Sequence, residues 1–213
     1  MSDAGRTFFP AAGRDLFLPL YDPVVELLGG GAARAALIAQ GKLSSAERVL
    51  DLGCGTGTMA IQIRKQFPGI AIVGLDPDPK ALARARRKAE REGLAIPFDQ
   101  GFGDELPYAT ASFDRVFSSL MLHHLEAADR ANTLREVRRV LRAGGEFHMM
   151  DFEARGDQER GFFGNLLHAH AHLKDNSPVK ILATLKGAGF AEAAKIGSRR
   201  MIVGEVAYYR AVT

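Results

Sequence analysis

The sequence predicts an α/β domain, a mostly parallel β-sheet with helices on both faces. Three observations predict it. Strand-like and helix-like segments alternate along most of the chain. The strands are nearly continuous apolar runs, as expected for a sheet buried on both sides, not the in–out alternation of a sheet with one wet face. A glycine-rich turn, Gly53-Cys54-Gly55-Thr56-Gly57, joins the first strand directly to a helix. In such sheets crossovers are right-handed, and ligands bind beyond the carboxyl ends of the strands, where the strand order reverses. Chemistry is therefore sought at strand ends.

Taken in order, residues 1–21 are irregular, with Pro10 and Pro19 as breakers. Across 22–40, Val24, Val25, Leu27, Leu28, Ala32, Ala35, Ala36 and Leu37 suggest one or two helices broken near Gly29-Gly30-Gly31. Residues 1–43 are thus expected to form an amino-terminal helical lid on a domain spanning 44–213. Within that domain, 48–52 reads as a strand, 58–66 as a helix ended by Pro68-Gly69, and 70–75 as a second strand. A highly charged helix follows over 79–92, stopped by Gly93, then a weak strand over 95–99 and a fourth strand over 113–119. A helix over 126–141 leads through a Gly144-Gly145 turn into a fifth strand, 146–152. Residues 152–177 are expected to be a lid insertion. A helix over 178–188, capped by Gly189, precedes a closing hairpin of 190–196 and 201–210.

Composition narrows the class. The chain has 213 residues, 46% hydrophobic and 25% charged, enough for one sizeable core. No apolar run approaches the ~20 residues of a membrane helix, and no basic-then-apolar leader opens the chain, so no secretory signal is expected. The single cysteine, Cys54, cannot form an internal disulfide, which fits a reducing cytoplasm as the expected location. A net charge of +3 is too small a surplus to argue for nucleic acid. No repeat or low-complexity tract is present.

The glycine turn brings bare backbone and the N–H groups of a helix start against a ligand, although a plain tight turn would have the same composition. Its spacing is G-x-G-x-G, with Thr58 where the dinucleotide fingerprint carries its last glycine, which disfavours a nicotinamide or flavin. A second acid lies 25 residues after Asp51: Asp76, at the end of the second strand and followed by Pro77. A carboxylate there can accept both hydroxyls of a ribose. The alternative, a helix cap, falls better on Asp78, since Pro79 directly after it favours the first helical position.

Taken as a set, Val49 to Gly57, Gly74 to Pro77, Gly103-Asp104-Glu105, Leu106-Pro107-Tyr108 with Ser112-Phe113-Asp114, Ser118 to Leu125, and Leu134 to Gly145 resemble the motif series of the class I S-adenosylmethionine-dependent methyltransferases, in particular their small-molecule, quinone-methyltransferase-like branch. The resemblance covers roughly residues 20–195, with Ala143 standing where the family usually has Pro. It implies a Rossmann-like class I methyltransferase fold of seven strands, six parallel and one antiparallel, with the last strand inserted beside the fifth. It implies S-adenosyl-L-methionine as cofactor and direct in-line methyl transfer to an O, N or C atom of a small-molecule acceptor. By position, Asp51 and the backbone of Gly53 would hold the methionine amino group, and Cys54, Gly55 and Gly57 would line the cofactor. Asp76 would hold the ribose, Pro77 would lie beside the adenine with Gly103, Asp104 and Glu105, and the Ser118 backbone would lie against the methionine part. Two other readings stay open. One is an NAD(P)-dependent oxidoreductase, which lacks an obvious Tyr-x-x-x-Lys pair here, and the other a catalytically silent methyltransferase-like binding protein.

Candidate chemistry beyond the cofactor is sparse. The chain has no (Asp/Asn)-Pro-Pro-(Tyr/Phe) run of the kind that amino-group methylating relatives use. His123 and His124 are the nearest titratable pair, and an imidazole there could take a proton from a phenol or enol. Either could equally bond loop backbone or wall the cofactor, where His123 is also expected. His168 and His172, four apart, share a helix face and are expected with Tyr21 on the substrate side. Metal would need a third ligand, for which Asp151, Asn165 and Asp175 are conceivable; no metal site is expected. Arg135, Arg138, Arg139 and Arg142 are expected to be a solvated helix face. Expected partners are a small acceptor, no nucleic acid and no membrane span, with a homodimer left open.

Overall fold

The computed structural model describes residues 28–153, 176–202 and 204–213. Its elements run α1 (Gly30–Gln40), β1 (Arg48–Leu52), α2 (Thr58–Gln66), β2 (Ala71–Asp76), α3 (Pro79–Arg91), β3 (Phe98–Gln100), β4 (Phe113–Ser119), a short 3-10 turn Leu122–His124, α4 (Ala127–Val140), β5 (Leu141–Phe152), α5 (Pro178–Gly187), β6 (Glu192–Met201) and β7 (Gly204–Val212). The strands form one seven-stranded sheet in the order β3-β2-β1-β4-β5-β7-β6. β1 to β5 pair in parallel, and β7 runs antiparallel between β5 and β6. The last strand therefore sits beside the fifth, as the resemblance implied. The order reverses between β1 and β4, which sets the crevice at their carboxyl ends.

Local signals fix most boundaries. Asp78 caps α3 by accepting from the Lys80 N–H at 2.8 Å, with Pro79 in the first turn. Ser177 caps α5 in the same way, ahead of Pro178. The sheet buries both faces. Leu37 and Ile38 of α1, Ile63 of α2, and Leu82 and Ala85 of α3 belong to the cluster on one face, with Val49 and Phe117. Leu134 and Val137 of α4 and Leu185 of α5 belong to the other, with Leu50, Val116, Phe147 and Tyr209.

Three features depart from expectation. α1, placed by sequence in a lid over 1–43, is part of the core: the Tyr208 hydroxyl donates to Ala33 O at 3.1 Å, and Gln40 Nε2 donates to Tyr209 O at 3.2 Å. β5 begins at Leu141, not after the Gly-Gly pair. Its register jumps from Phe113↔Leu141 to Arg115↔Glu146, so residues 142–145 form an irregularity inside the strand, with Gly144 at φ 72. β3 is shorter than 95–99 suggested, since only three residues pair with β2. The remaining lid expectations, 1–27 and 154–175, lie outside the described residues.

Gly74 in β2 shows how tightly this edge is packed. A Cβ there would lie 2.7 Å from Phe98 Cδ1 and 2.8 Å from Cys54 Sγ. Gly74→Ala is expected to cost roughly 1–3 kcal/mol by overpacking, read as a lower urea midpoint at unchanged slope.

Candidate active site

The glycine turn is braced before any ligand arrives. The N–H groups of Gly53 and Cys54 both donate to Leu75 O, at 2.9 and 3.0 Å, and the Gly57 N–H donates to Cys54 O at 2.8 Å. Gly57 must be glycine: its φ is 73, and a Cβ would stand 2.8 Å from Ala85 and from the Phe98 ring. Gly55 is different. Its φ is 51, and a Cβ would meet nothing within 4 Å, so the rim of the turn faces open space. Lys88 of α3 ties the far side of the turn, its Nζ donating to Thr58 Oγ1 at 2.6 Å.

Two carboxylates end the strands beside this turn. Asp51, 1% exposed on β1, accepts from the Ala60 N–H of α2 at 3.0 Å. Burial, with Asp76 nearby, pushes it up to about 7 against the opposing pull of the Ala60 bond and the Arg34 charge. Asp76, 9% exposed at the end of β2, accepts from the Gly55 N–H through Oδ2 at 2.8 Å and from the Asp78 N–H through Oδ1 at 2.9 Å. Burial raises it too. Asp76 thus already holds the glycine rim to the start of α3, while each oxygen keeps a second lone pair for a ligand donor. Cys54 has another place than expected. Its N–H is engaged by Leu75, its thiol packs against Gly74 in the core, and burial raises the thiol strongly.

The third strand brings its loop to the same edge. Gln100 pairs with Asp76, the Gly101 N–H donates to Asp76 O at 3.2 Å, and Gln100 Nε2 donates to Pro77 O at 3.2 Å. Gly103 packs on Thr133, whose methyl carbon would lie 2.9 Å from a Cβ there; Asp104 is half-buried and Glu105 exposed.

After β4 the chain turns sharply. Ser118 is 1% exposed and its hydroxyl has no hydrogen-bond partner among the described residues. Leu120 takes a left-handed φ of 56, and the Met121 side chain covers Gly53, its Cγ 2.5 Å from where a Cβ would stand. His123 is then clamped by the fully buried Asp151 of β5. Its N–H donates to Oδ2 at 3.0 Å, and its Nδ1 lies 2.5 Å from Oδ1, which also accepts from the Phe152 N–H at 2.8 Å. Burial alone would raise Asp151, but the His123 charge and these bonds hold it below the usual carboxylate range. An ionised Asp151 accepts a hydrogen bond from Nδ1–H, and in a neutral ring that bond leaves Nε2 as the acceptor nitrogen. The His124 ring stacks at a tilt, its centroid 4.0 Å from that of His123, and burial together with His123 pushes it down to about 4, so it is neutral at pH 7.

The structure therefore brings Asp51, Gly53, Gly55, Gly57, Asp76, Pro77, Gly103, Asp104, Glu105, Ser118, His123 and His124 to the carboxyl ends of four neighbouring strands. Tyr21, His168 and His172 lie outside the described residues. Sequence reasoning missed Met121, which gave no signal, and the role of Asp151. The sequence offers Asp151 only as a conceivable metal ligand, although it places an acid near the end of its strand as Asp76 does. Among the described residues no group of three or more His, Cys, Asp or Glu is placed to hold a metal.

Residues 49–145, the stretch carrying these strand ends, match the model of the methyltransferase domain family. Over that stretch the chain is similar to methyltransferase domains. Among similar curated proteins, the demethylmenaquinone methyltransferase of Deinococcus radiodurans is 37% identical over 63% of this chain and 56% of its own length. That of Thermus thermophilus is 37% identical over 63% of this chain and 61% of its own length. The match thus spans less than two thirds of these relatives. Among solved structures, phosphoethanolamine N-methyltransferase 2 of Haemonchus contortus, solved with S-adenosyl-L-methionine, superposes with a TM-score of 0.75. It is 22% identical over 90% of this chain and 47% of that one, a likeness of fold. The residues of this crevice fit S-adenosyl-L-methionine, the cofactor of methyltransferases similar to this chain: the open glycine rim at Gly55 lies between a buried acid suited to an ammonium and a carboxylate with lone pairs to spare.

The raised Asp51 carboxyl has a cost that can be measured. Its folded value lies above its unfolded one, so its contribution to stability is complete below pH ~4 and is lost as the pH rises to about 7. In the cofactor-free protein, Asp51→Asn is expected to unfold at higher temperature than the parent at pH 8, by a few kcal/mol of stability. The difference should vanish as the pH approaches 4, which thermal melts across pH will show.

Proposed function

We propose that this protein transfers the methyl group of S-adenosyl-L-methionine to an O, N or C atom of a small-molecule acceptor by direct in-line displacement. The observation that carries the reading is the set of three buried carboxylates, Asp51, Asp76 and Asp151, in the last two residues of β1, β2 and β5 around one switch point. When bound, the cofactor supplies a sulfonium whose methyl carbon an acceptor can attack. Asp76 accepts from the ribose hydroxyls. Asp51 and the Gly53 carbonyl accept from the amino group. Asp104 takes the exocyclic amine of the adenine, bordered by Pro77, Gly103 and Glu105.

Asp151 orients His123 so that Nε2 takes the proton that the acceptor loses, and the imidazolium so formed is stabilised by the carboxylate behind it. Neutral His124 walls the same space. Alignment of the reacting atoms supplies most of the acceleration. No covalent enzyme intermediate is required, and the only thiol is buried beneath the glycine turn. Tyr21, His168 and His172 are assigned to the acceptor side. The names of the curated relatives favour a quinol-like acceptor, whose hydroxyl proton suits an imidazole base.

A small acceptor is favoured over nucleic acid because the basic run, which continues past α4 so that Arg142 lies in β5 and not on the helix face the sequence suggested, is used internally. Arg135 bonds Asn132, Arg138 bonds Gly189 O, Arg139 pairs with Glu136 and Arg142 with Asp114. The buried lone thiol supports a reducing, cytoplasmic setting, and sedimentation equilibrium would decide whether two copies pair.

Two measurements test the reading. Asp76→Ala removes charge-assisted bonds worth roughly 1.5–3 kcal/mol each, so calorimetry should find cofactor affinity about a hundredfold weaker; unchanged affinity refutes the ribose assignment. His123→Gln should retain cofactor affinity while methyl transfer from labelled cofactor falls about 10²–10⁴-fold. Transfer at the parental rate would remove His123 from the proton path.

A further inference from the structure

Helix α3 carries a feature that the proposed methyl transfer does not use. Pro79–Arg91 contains six basic residues and one acid, Glu90, giving the helix a charge of +5. The whole chain is only +3, so the remainder is net negative by two. Ala81, Leu82, Ala85 and Ala89 turn one face into the core. On the two flanks, Arg86 donates to Phe98 O at 2.5 Å and Lys88 to Thr58 Oγ1 at 2.6 Å. The other four bases, Lys80, Arg84, Arg87 and Arg91, follow the i, i+4, i+7, i+11 spacing that aligns side chains along one helix face, opposite the buried one. Lys80, Arg87 and Arg91 are exposed and Arg84 is half-buried.

This stripe is unfavourable by itself. Each like-charged neighbour three or four residues away destabilises a helix, and Arg84, Arg87 and Arg91 form no ion pair among the described residues. The contrast with α4 is direct: Arg130 bonds Leu125 O, and Arg135, Arg138 and Arg139 each have a named partner. Arg84, Arg87 and Arg91, three cations over ~10 Å of helix, thus present a concentrated positive field on a chain that is otherwise slightly acidic. We propose that the α3 stripe docks the protein on an anionic lipid surface. Charge complementarity selects this occupant. A lipid leaflet asks only for point charges close to its plane, whereas nucleic-acid recognition adds stacking aromatics or hydrogen-bonding amides. The stripe holds neither. The apolar face of α3 is spent on the core, so the attachment is electrostatic and not an insertion. No helix among the described residues is long and apolar enough to cross a membrane.

The test is co-sedimentation of the full chain with vesicles, independent of any acceptor or cofactor. The parent is expected to bind vesicles containing phosphatidylglycerol, to ignore pure phosphatidylcholine, and to release as salt rises from about 0.05 to 0.5 M. Arg84→Gln/Arg87→Gln/Arg91→Gln should bind about a hundredfold more weakly, and Arg87→Gln alone roughly fivefold, with circular dichroism melts like the parent's. Arg199→Gln/Arg200→Gln on β6 should leave binding unchanged. Any of four results overturns the proposal: binding indifferent to lipid charge, no effect of the stripe variants, an equal loss from the β6 pair, or tighter binding to duplex RNA than to the anionic vesicles at the same salt.

Discussion

A carboxylate cut off from water needs either a positive partner or a proton. The structure turns on this constraint at the carboxyl ends of β1 and β2. Asp51 and Asp76 are both nearly sealed, burial raises the proton affinity of each, with Asp76 adding to that of Asp51 and Asp78 to that of Asp76, and Arg34 offsets only part of the burden on Asp51. A ligand carrying an ammonium and a vicinal diol supplies what the two acids lack. The fold keeps an acid where a packed apolar residue would be more stable, an expense that the proposed cofactor would account for.

The site is held by the same bonds that build the sheet. One carbonyl, Leu75 O, takes the N–H groups of Gly53 and Cys54, and Asp76, the next residue, takes that of Gly55. β2 therefore shapes the glycine turn that leaves β1, and the side chain that would bind a ribose also positions the rim above the cofactor. Across the switch point, β4 and β5 do the equivalent work. The left-handed Leu120 throws the chain over Gly53, and Asp151 fixes both the backbone and the ring of His123. Strain and burial are concentrated where the reacting groups would meet.

What was legible in the sequence was local. The helix starting at Thr58 follows a glycine turn, and Asp78-Pro79 announced the cap of α3, so the division of labour between Asp76 and Asp78 could be read directly. The place of β7 beside β5 came from the family resemblance. What escaped was non-local. The docking of α1 rests on Ala33 with Tyr208 and on Gln40 with His148 and Tyr209, contacts more than a hundred residues apart that no periodicity reveals. His123 and Asp151 are likewise separated by a helix and most of a strand. Gly144-Gly145 read as a turn because the same two glycines serve a turn or an irregular strand, and only pairing with β4 decides between them.

The most direct test of the central claim is calorimetry of S-adenosyl-L-methionine binding near pH 6.5 in two buffers of different ionisation enthalpy. If the ammonium of the cofactor replaces the proton on Asp51, binding will release between about half and one proton per site, and the heats in the two buffers will differ accordingly. Asp51→Asn should abolish the difference. Saturable binding with identical heats in both buffers, or no binding at all, would contradict the account.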